Sequence, residues 1–201
     1  MCGVVGYSSN KSIEKHYKIL QSIIQQSKIR GLHSFGYSYY DKKIITKKYY
    51  NIDKVVFEKT NKIIYHNRYA TSGDYKDPTN NQPIEYKDKC LVFNGVLDMR
   101  TKQQMEEAYN IKMISDNDGE ILLQKCDNKK DIIDFVKKTT GSFAGIIMQK
   151  DKIYAIRNKN RPLWQLKIDN ATFYASTKDI FKRVNKNYKP TELIPYKLYE
   201  S

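Results

Sequence analysis

The chain of 201 residues is 40% hydrophobic and 12% aromatic, enough apolar side chain for one domain with its own core. No apolar run approaches the roughly 18 residues that would cross a bilayer, no basic and apolar leader opens the chain, and Cys2, Cys90 and Cys126 form no C-x-x-C pair, which excludes a disulfide framework and fits a reducing cytoplasm. The net charge of +14 attracts acidic partners or nucleic acid, but its lysines are scattered among Asn, Ile and Tyr, as an AT-rich coding sequence produces.

Taken in chain order, "CGVVGYS" reads as a short buried strand. "SIEKHYKILQSIIQQSKIRG" predicts an amphipathic helix with Ile13, Tyr17, Leu20 and Ile24 on one face and Gly31 just past its end. His16 on that helix is expected to be exposed. "SFGYSYYD" and "KKIITKKYY" predict a hairpin, and "KIIYHNRYA" a further strand, with His66 a structural histidine. The turn-rich "TSGDYKDPTNNQP" follows as a long loop, Thr71 to Pro83, and is a candidate lid. "KCLVFNGVL" predicts a buried strand ending in Asn-Gly. Helices are expected around "DGEILLQKC" and "DIIDFVKKT". "GSFAGIIMQKDKIYAIRN" predicts a hairpin turning at Gln149 to Lys152. "TFYAST" is a last strand and "KDIFKRV" a short helix. Strands and helices come in blocks with no repeat and no linker, which favours a layered α+β arrangement over a doubly wound sheet.

The first residues raise a chemical question. Removal of Met1 would leave Cys2 with a free α-amine, so that a thiol and a base with a pKa of about 7.7–8.0 share one carbon. Such a pair can act as nucleophile and proton carrier. A cysteine at the start of a buried strand is the plainer alternative. Cys90 and Cys126 sit on apolar faces and read as packing.

The stretches "MCGVVG", "RGLHSFG", "HNRYATSG", "NQP", "FNGVL", "SDNDGE", "GSFAGII" and "RNKNRPLW", in this order, resemble the class II glutamine amidotransferases. The glutaminase domain of that family belongs to the N-terminal nucleophile hydrolases. The resemblance runs from Cys2 to about Phe181, and "HNRYATSG" with "NQP" is similar to the amidophosphoribosyltransferase and glucosamine-phosphate synthase branches. It implies a four-layer αββα sandwich, two antiparallel sheets face to face with helices outside, over a single glutaminase domain at 1–201. It also implies that Cys2 is the nucleophile and its own amine the base, with a γ-glutamyl thioester as intermediate. Asn94 and the backbone of Gly95 would form the oxyanion hole, although Asn-Gly alone is also a common hairpin turn. Arg68, with its planar guanidinium, would grip the glutamine carboxylate, aided by Thr71 and Ser72. Asp118 would take the ammonium, cap the helix that follows it, or do both. Arg30 would orient the nucleophile's loop, where a surface arginine at a helix end is the alternative.

Two positions depart from the family pattern. His33 stands where "RGxDSxG" has an aspartate, and Phe93 where "HNG" has a histidine. No phosphate loop, nucleotide fingerprint or metal-ligand cluster is expected, so no cofactor is. The implied substrate is L-glutamine, with ammonia passed to a separate synthetase subunit, a nucleobase-modifying one among the options, in the cytoplasm. The other readings are a standalone hydrolase of γ-glutamyl compounds and a nucleic-acid-associated, non-catalytic module.

Overall fold

The computed structural model describes residues 2–10, 13–58, 60–69 and 74–201. Two antiparallel sheets form its centre. Sheet one holds β1 (Gly3–Ser9), β2 (Ser34–Asp41), β3 (Lys43–Tyr49), β4 (Lys62–Arg68), β9 (Trp164–Ile168), β10 (Ala171–Ala175) and β11 (Thr191–Glu192). Its spatial order is β11-β9-β10-β1-β4-β2-β3. Sheet two holds β5 (Ile84–Tyr86), β6 (Lys89–Val96), β7 (Ser142–Gln149), β8 (Lys152–Arg157) and β12 (Tyr199–Glu200), ordered β12-β8-β7-β6-β5. The hairpins predicted at 34–50 and 141–158 are β2–β3 and β7–β8, with Gln149 opposite Lys152.

Side chains alternate across a strand, and three hydrophobic cores follow from that rule. Val5, Ile63 and Tyr65 point outward from sheet one onto α1 (Tyr17–Ser27) and α5 (Lys178–Val184), with Leu20, Ile23, Ile24, Ile180 and Phe181. Their neighbours Val4 and Ile64 point the other way, into a core shared with Val92, Ala144, Ile146 and Met148 of sheet two. Leu91, Phe93, Phe143 and Ile147 cover the far face of sheet two, under α3 (Gly119–Lys125) and α4 (Lys129–Lys138). The layers are therefore helix, sheet, sheet, helix, as the resemblance implies. Cys90 lies in the core between the sheets and Cys126 in the core beneath α3 and α4. Burial raises both thiols to about 12, so they are neutral packing groups at pH 7.

Several elements differ from expectation. α1 is shorter than the 12–30 pattern, flanked by 3-10 turns at Ile13–His16 and Lys28–Arg30. His16 is buried at 3% exposure, against the expectation that it faces solvent. It falls in the 3-10 turn before α1, where the ring meets Phe173 edge-on and Nδ1 lies 3.3 Å from the Tyr7 hydroxyl. The helix α2 (Lys102–Tyr109) was not predicted; it buries only Met105 and starts at a capping box between Thr101 and Gln104. The short strands β5, β9, β11 and β12 were not predicted either. Among the described residues no helix is long and apolar enough to cross a membrane.

Candidate active site

Cys2 stands at the mouth end of β1, and neighbouring elements fix that end. Asn67, fully buried on β4, accepts from the Ser27 hydroxyl at 2.9 Å and donates to the Ser27 and Gly31 carbonyls at 3.0 Å. Those bonds tie the end of α1 to β4. Gly31 rests directly on the Arg68–Tyr69 backbone, where a β-carbon would lie 2.4 Å from the Arg68 carbonyl. The close approach brings Arg30 to the start of β1, and its Nε donates to the Cys2 carbonyl at 3.3 Å. Cys2 Sγ lies 3.7 Å from the Tyr69 carbonyl. Burial pushes its thiol up, while the Arg68 and Arg30 charges pull the other way.

A cavity of about 370 Å³ opens beside Cys2, lined among others by Arg68, Gly95, Asp98, Asp116 and Asp118. The sequence-predicted residues Cys2, Arg68, Gly95 and Asp118 are thus brought together. Asn94, between the lining residues Phe93 and Gly95, is buried with its Nδ2 unpartnered. An unsatisfied buried amide N–H is costly, and a substrate oxygen would satisfy it. Arg30 does not line the cavity; it reaches the site through the Cys2 backbone. Thr71 and Ser72 lie outside the described residues.

The edge of β6 explains how a backbone donor can face the cavity. β5 ends at Ile84, opposite Leu91, so no strand continues beside Phe93 and Gly95. Phe93 N–H points to that vacated edge and donates to the Gln82 side-chain carbonyl at 2.6 Å. N–H directions alternate along a strand, so Gly95 N–H turns to the same edge, which lines the cavity. Phe143, opposite Gly95 on β7, spends its own N–H and carbonyl on Asn158 instead.

Arg68 and the loops around the cavity are held by partners to which the sequence reading gave no role. Arg68 is buried, and its Nη1 donates to Asn81 Oδ1 at 2.7 Å, while Asn81 Nδ2 donates to the Tyr75 carbonyl at 2.7 Å. Asn80 Oδ1 accepts from Asp116 N at 2.9 Å. Asn80, Asn81 and Gln82 are all buried. The second half of the candidate lid is therefore a built wall of the site, containing the 3-10 turn Pro78–Asn80; its first residues lie outside the described set. The tandem polar residues "NNQ" before a proline were the available signal.

Asp118 makes no side-chain cap to α3. Its Oδ2 accepts from Leu97 N at 2.5 Å and Asp98 N at 3.0 Å, pinning the loop after β6. Burial raises its carboxyl. Asp98, a cavity-lining acid the sequence reading did not select, is held at about 2 by the Arg100 side chain hydrogen-bonded to it. Glu120, buried, accepts from Ile114 N, Ser115 N and the Ser115 hydroxyl at 2.8–2.9 Å and so shapes the loop carrying Asp116 and Asp118. His33 lies stacked with Tyr69 and Tyr75, ring centroids 5.3 and 5.0 Å away. An aromatic stack thus occupies the place of the usual aspartate. Phe93 stacks on Phe143 at 5.6 Å. Among the described residues, no group of three or more His, Cys, Asp or Glu is placed to hold a metal ion.

Comparison with known proteins bears on the family and the fold. The glutamine amidotransferase domain family matches residues 66–183. No curated protein matches the chain. Among solved structures, the fold is similar to the glutamine phosphoribosylpyrophosphate amidotransferase from B. subtilis complexed with ADP and GMP. The TM-score is 0.73 at 20% identity, over 100% of this chain and 49% of that one. It is also similar to a structure described as the allosteric regulatory enzyme of purine biosynthesis, with TM-score 0.78 at 22% identity over 96% of this chain and 45% of that one. A predicted glutamine amidotransferase from Pseudomonas aeruginosa matches with TM-score 0.53 at 15% identity, over 99% of this chain and 96% of that one. The chain thus spans about half the length of the first two. With more than half of its residues matched by the family model, the chain belongs to the glutamine amidotransferase domain family, and it shares the fold of these solved structures.

Proposed function

We propose that this domain hydrolyses L-glutamine to glutamate and ammonia through a γ-glutamyl thioester on Cys2, and that the ammonia is consumed by an acceptor enzyme outside residues 1–201. The observation that carries the reading is the convergence on one cavity of Cys2, Arg68, Gly95 and Asp118, beside a buried Asn94 amide with no partner.

Each group then has a chemical task. The Arg68 guanidinium pairs with the substrate carboxylate, and Asp118, in an acidic wall with Asp98 and Asp116, pairs with its ammonium. The γ-amide carbonyl lies against Asn94 Nδ2 and the Gly95 N–H. Cys2 Sγ attacks that carbon as its proton passes to the α-amine freed by loss of Met1. The tetrahedral oxyanion forms on the two N–H donors. Collapse breaks the C–N bond, the α-ammonium returns the proton to the leaving nitrogen, and ammonia departs. Water, deprotonated by the same amine, attacks the thioester, and glutamate leaves as the thiol is restored. Arg30, bound to the Cys2 carbonyl, holds the nucleophile's backbone in place.

The test is the rate of glutamate release. Cys2→Ala should abolish it. Asn94→Ala should lower kcat by about 10²–10³-fold with KM little changed, as loss of an oxyanion donor does. A protein with Met1 retained should be inactive compared with the processed form. Equal rates in both forms would remove the amine from the mechanism, and an active Cys2→Ala would remove the thioester.

A further inference from the structure

The vacated edge of β6 carries a second consequence. In register, the residue opposite Phe93 would be Gln82, because Ile84 faces Leu91. The Gln82 backbone does not continue the ladder. It lies instead over Gly36 of β2, where a β-carbon would stand 2.3 Å from the Gln82 carbonyl oxygen. The Gln82 side chain crosses to β6 in its place, and its Oε1 accepts the Phe93 N–H at 2.6 Å. A side-chain amide thereby supplies the hydrogen bond that a strand would have made. It is 6% exposed and lines the cavity. The gripped peptide lies immediately before Asn94 and two residues before Gly95.

On this edge β5 pairs no further than Leu91, and the next backbone donor held there is Leu97 N, bonded to Asp118; β7 secures the opposite side of β6. Without Gln82 Oε1, Phe93 N–H would be a buried donor with no acceptor. The strand would then shift or draw in water, and Asn94 and Gly95 would move with it. A misplacement of about 1 Å in such donors costs of the order of 10²-fold in rate.

We infer that Gln82 is a positioning residue for glutamine hydrolysis, its side-chain carbonyl holding the Phe93 peptide so that Asn94 and Gly95 present their N–H groups to the cavity. The inference rests on the reading of Asn94 and Gly95 as oxyanion donors. Gln82→Met keeps length and removes the acceptor; Gln82→Glu keeps an acceptor oxygen. Glutamate release should be measured for both, in wild-type and Asn94→Ala backgrounds, with rates normalised to the fraction of Cys2 that an electrophilic glutamine analogue labels. Gln82→Met should lower kcat by about 10–100-fold with KM within about threefold, and Gln82→Glu should recover at least about tenfold of that loss. In the Asn94→Ala background Gln82→Met should cost clearly less than in the wild type, because one of the two donors it positions is already gone and only the Gly95 N–H remains. An unchanged kcat, or an equal loss in both backgrounds, would overturn the inference while leaving the thioester reading intact. If Gln82→Met fails to fold, Gln82→Glu decides: kcat within about tenfold of wild type supports the role, and a larger loss in folded protein refutes it. Activity retained in Cys2→Ala would instead refute the underlying reading.

Discussion

A β-carbon on Gly95 would stand 1.9 Å from the Ser142 carbonyl oxygen. Gly95 also has φ at +151°, a region that side-chain-bearing residues rarely enter. Both facts lie at the end of the β6–β7 ladder, where Gly95 pairs with Phe143 and Val96 with Ser142, across the strand from the vacated edge of β6. Glycine is therefore required by the neighbouring strand as much as by any substrate.

Gly95→Ala should accordingly damage both fold and turnover. A destabilisation of about 2 kcal/mol or more is expected from strain and overlap, measured by denaturant unfolding. Turnover per labelled Cys2 should fall by at least about tenfold, since the strand must move to admit the methyl. A variant as stable and active as wild type would mean that Gly95 is not held against Ser142.

The Arg68–Asn81 bond predicts a split in kinetic constants. Arg68→Ala should raise KM for glutamine by about 10–100-fold, the loss of a charge-assisted pair. Asn81→Ala should raise KM by a smaller factor, because the guanidinium keeps its charge and loses only its anchor. In both, kcat should change less than KM. If Asn81→Ala lowered kcat alone, its part in holding the binding fork would be wrong.

A pH effect on stability follows from His66. The imidazole is buried between the sheets, and burial first, with the Arg68 charge adding, lowers its pKa to about 3. The unfolded reference is about 6.5, so the folded value is the lower one. Its contribution is then fully present above pH 6.5 and is lost as pH falls towards 3, at up to about 1.4 kcal/mol per pH unit. Asp98, held at about 2 by Arg100, stabilises the fold fully above about pH 4 and loses that contribution only as pH falls towards 2, so it adds to the slope only at the acid end. Unfolding free energy should therefore fall between pH 6 and 4.5 in the wild type and fall less steeply in His66→Gln. Equal slopes would mean that His66 is not buried neutral.

Much of this fold was legible because alternation is a local property. Val4 and Val5, or Ile63 and Ile64, announce two buried faces by their order alone, and Ile132 and Val136 mark the inner stripe of α4. α2 was not legible through periodicity, since one buried methionine leaves no stripe; its capping residues Thr101 and Gln104 were the signal. His16 was misplaced because the helix was extended back through a 3-10 turn, which rotates the side chain onto Tyr7 and Phe173. For the site, motif order found Cys2, Arg68, Gly95 and Asp118, which line the cavity, and Asn94 beside them. Asn80, Gln82 and Asp98, which also line it, and Asn81, which holds Arg68, were given no role, although Asn81 and Gln82 stand in the "NQP" stretch, because a polar turn gives no local sign that it will be buried.

If Cys2 is the nucleophile, an electrophilic substrate analogue will bond to it covalently. The protein should be incubated with a glutamine analogue bearing an electrophilic side chain, then analysed by intact mass and peptide mapping, with glutamine as competitor. One adduct per chain is expected, on Cys2 and slowed by glutamine, with Cys90 and Cys126 unmodified because both are buried thiols raised to about 12. An adduct on either of those cysteines, or full glutaminase activity in a protein whose Cys2 carries no adduct, would contradict Cys2 as the nucleophile.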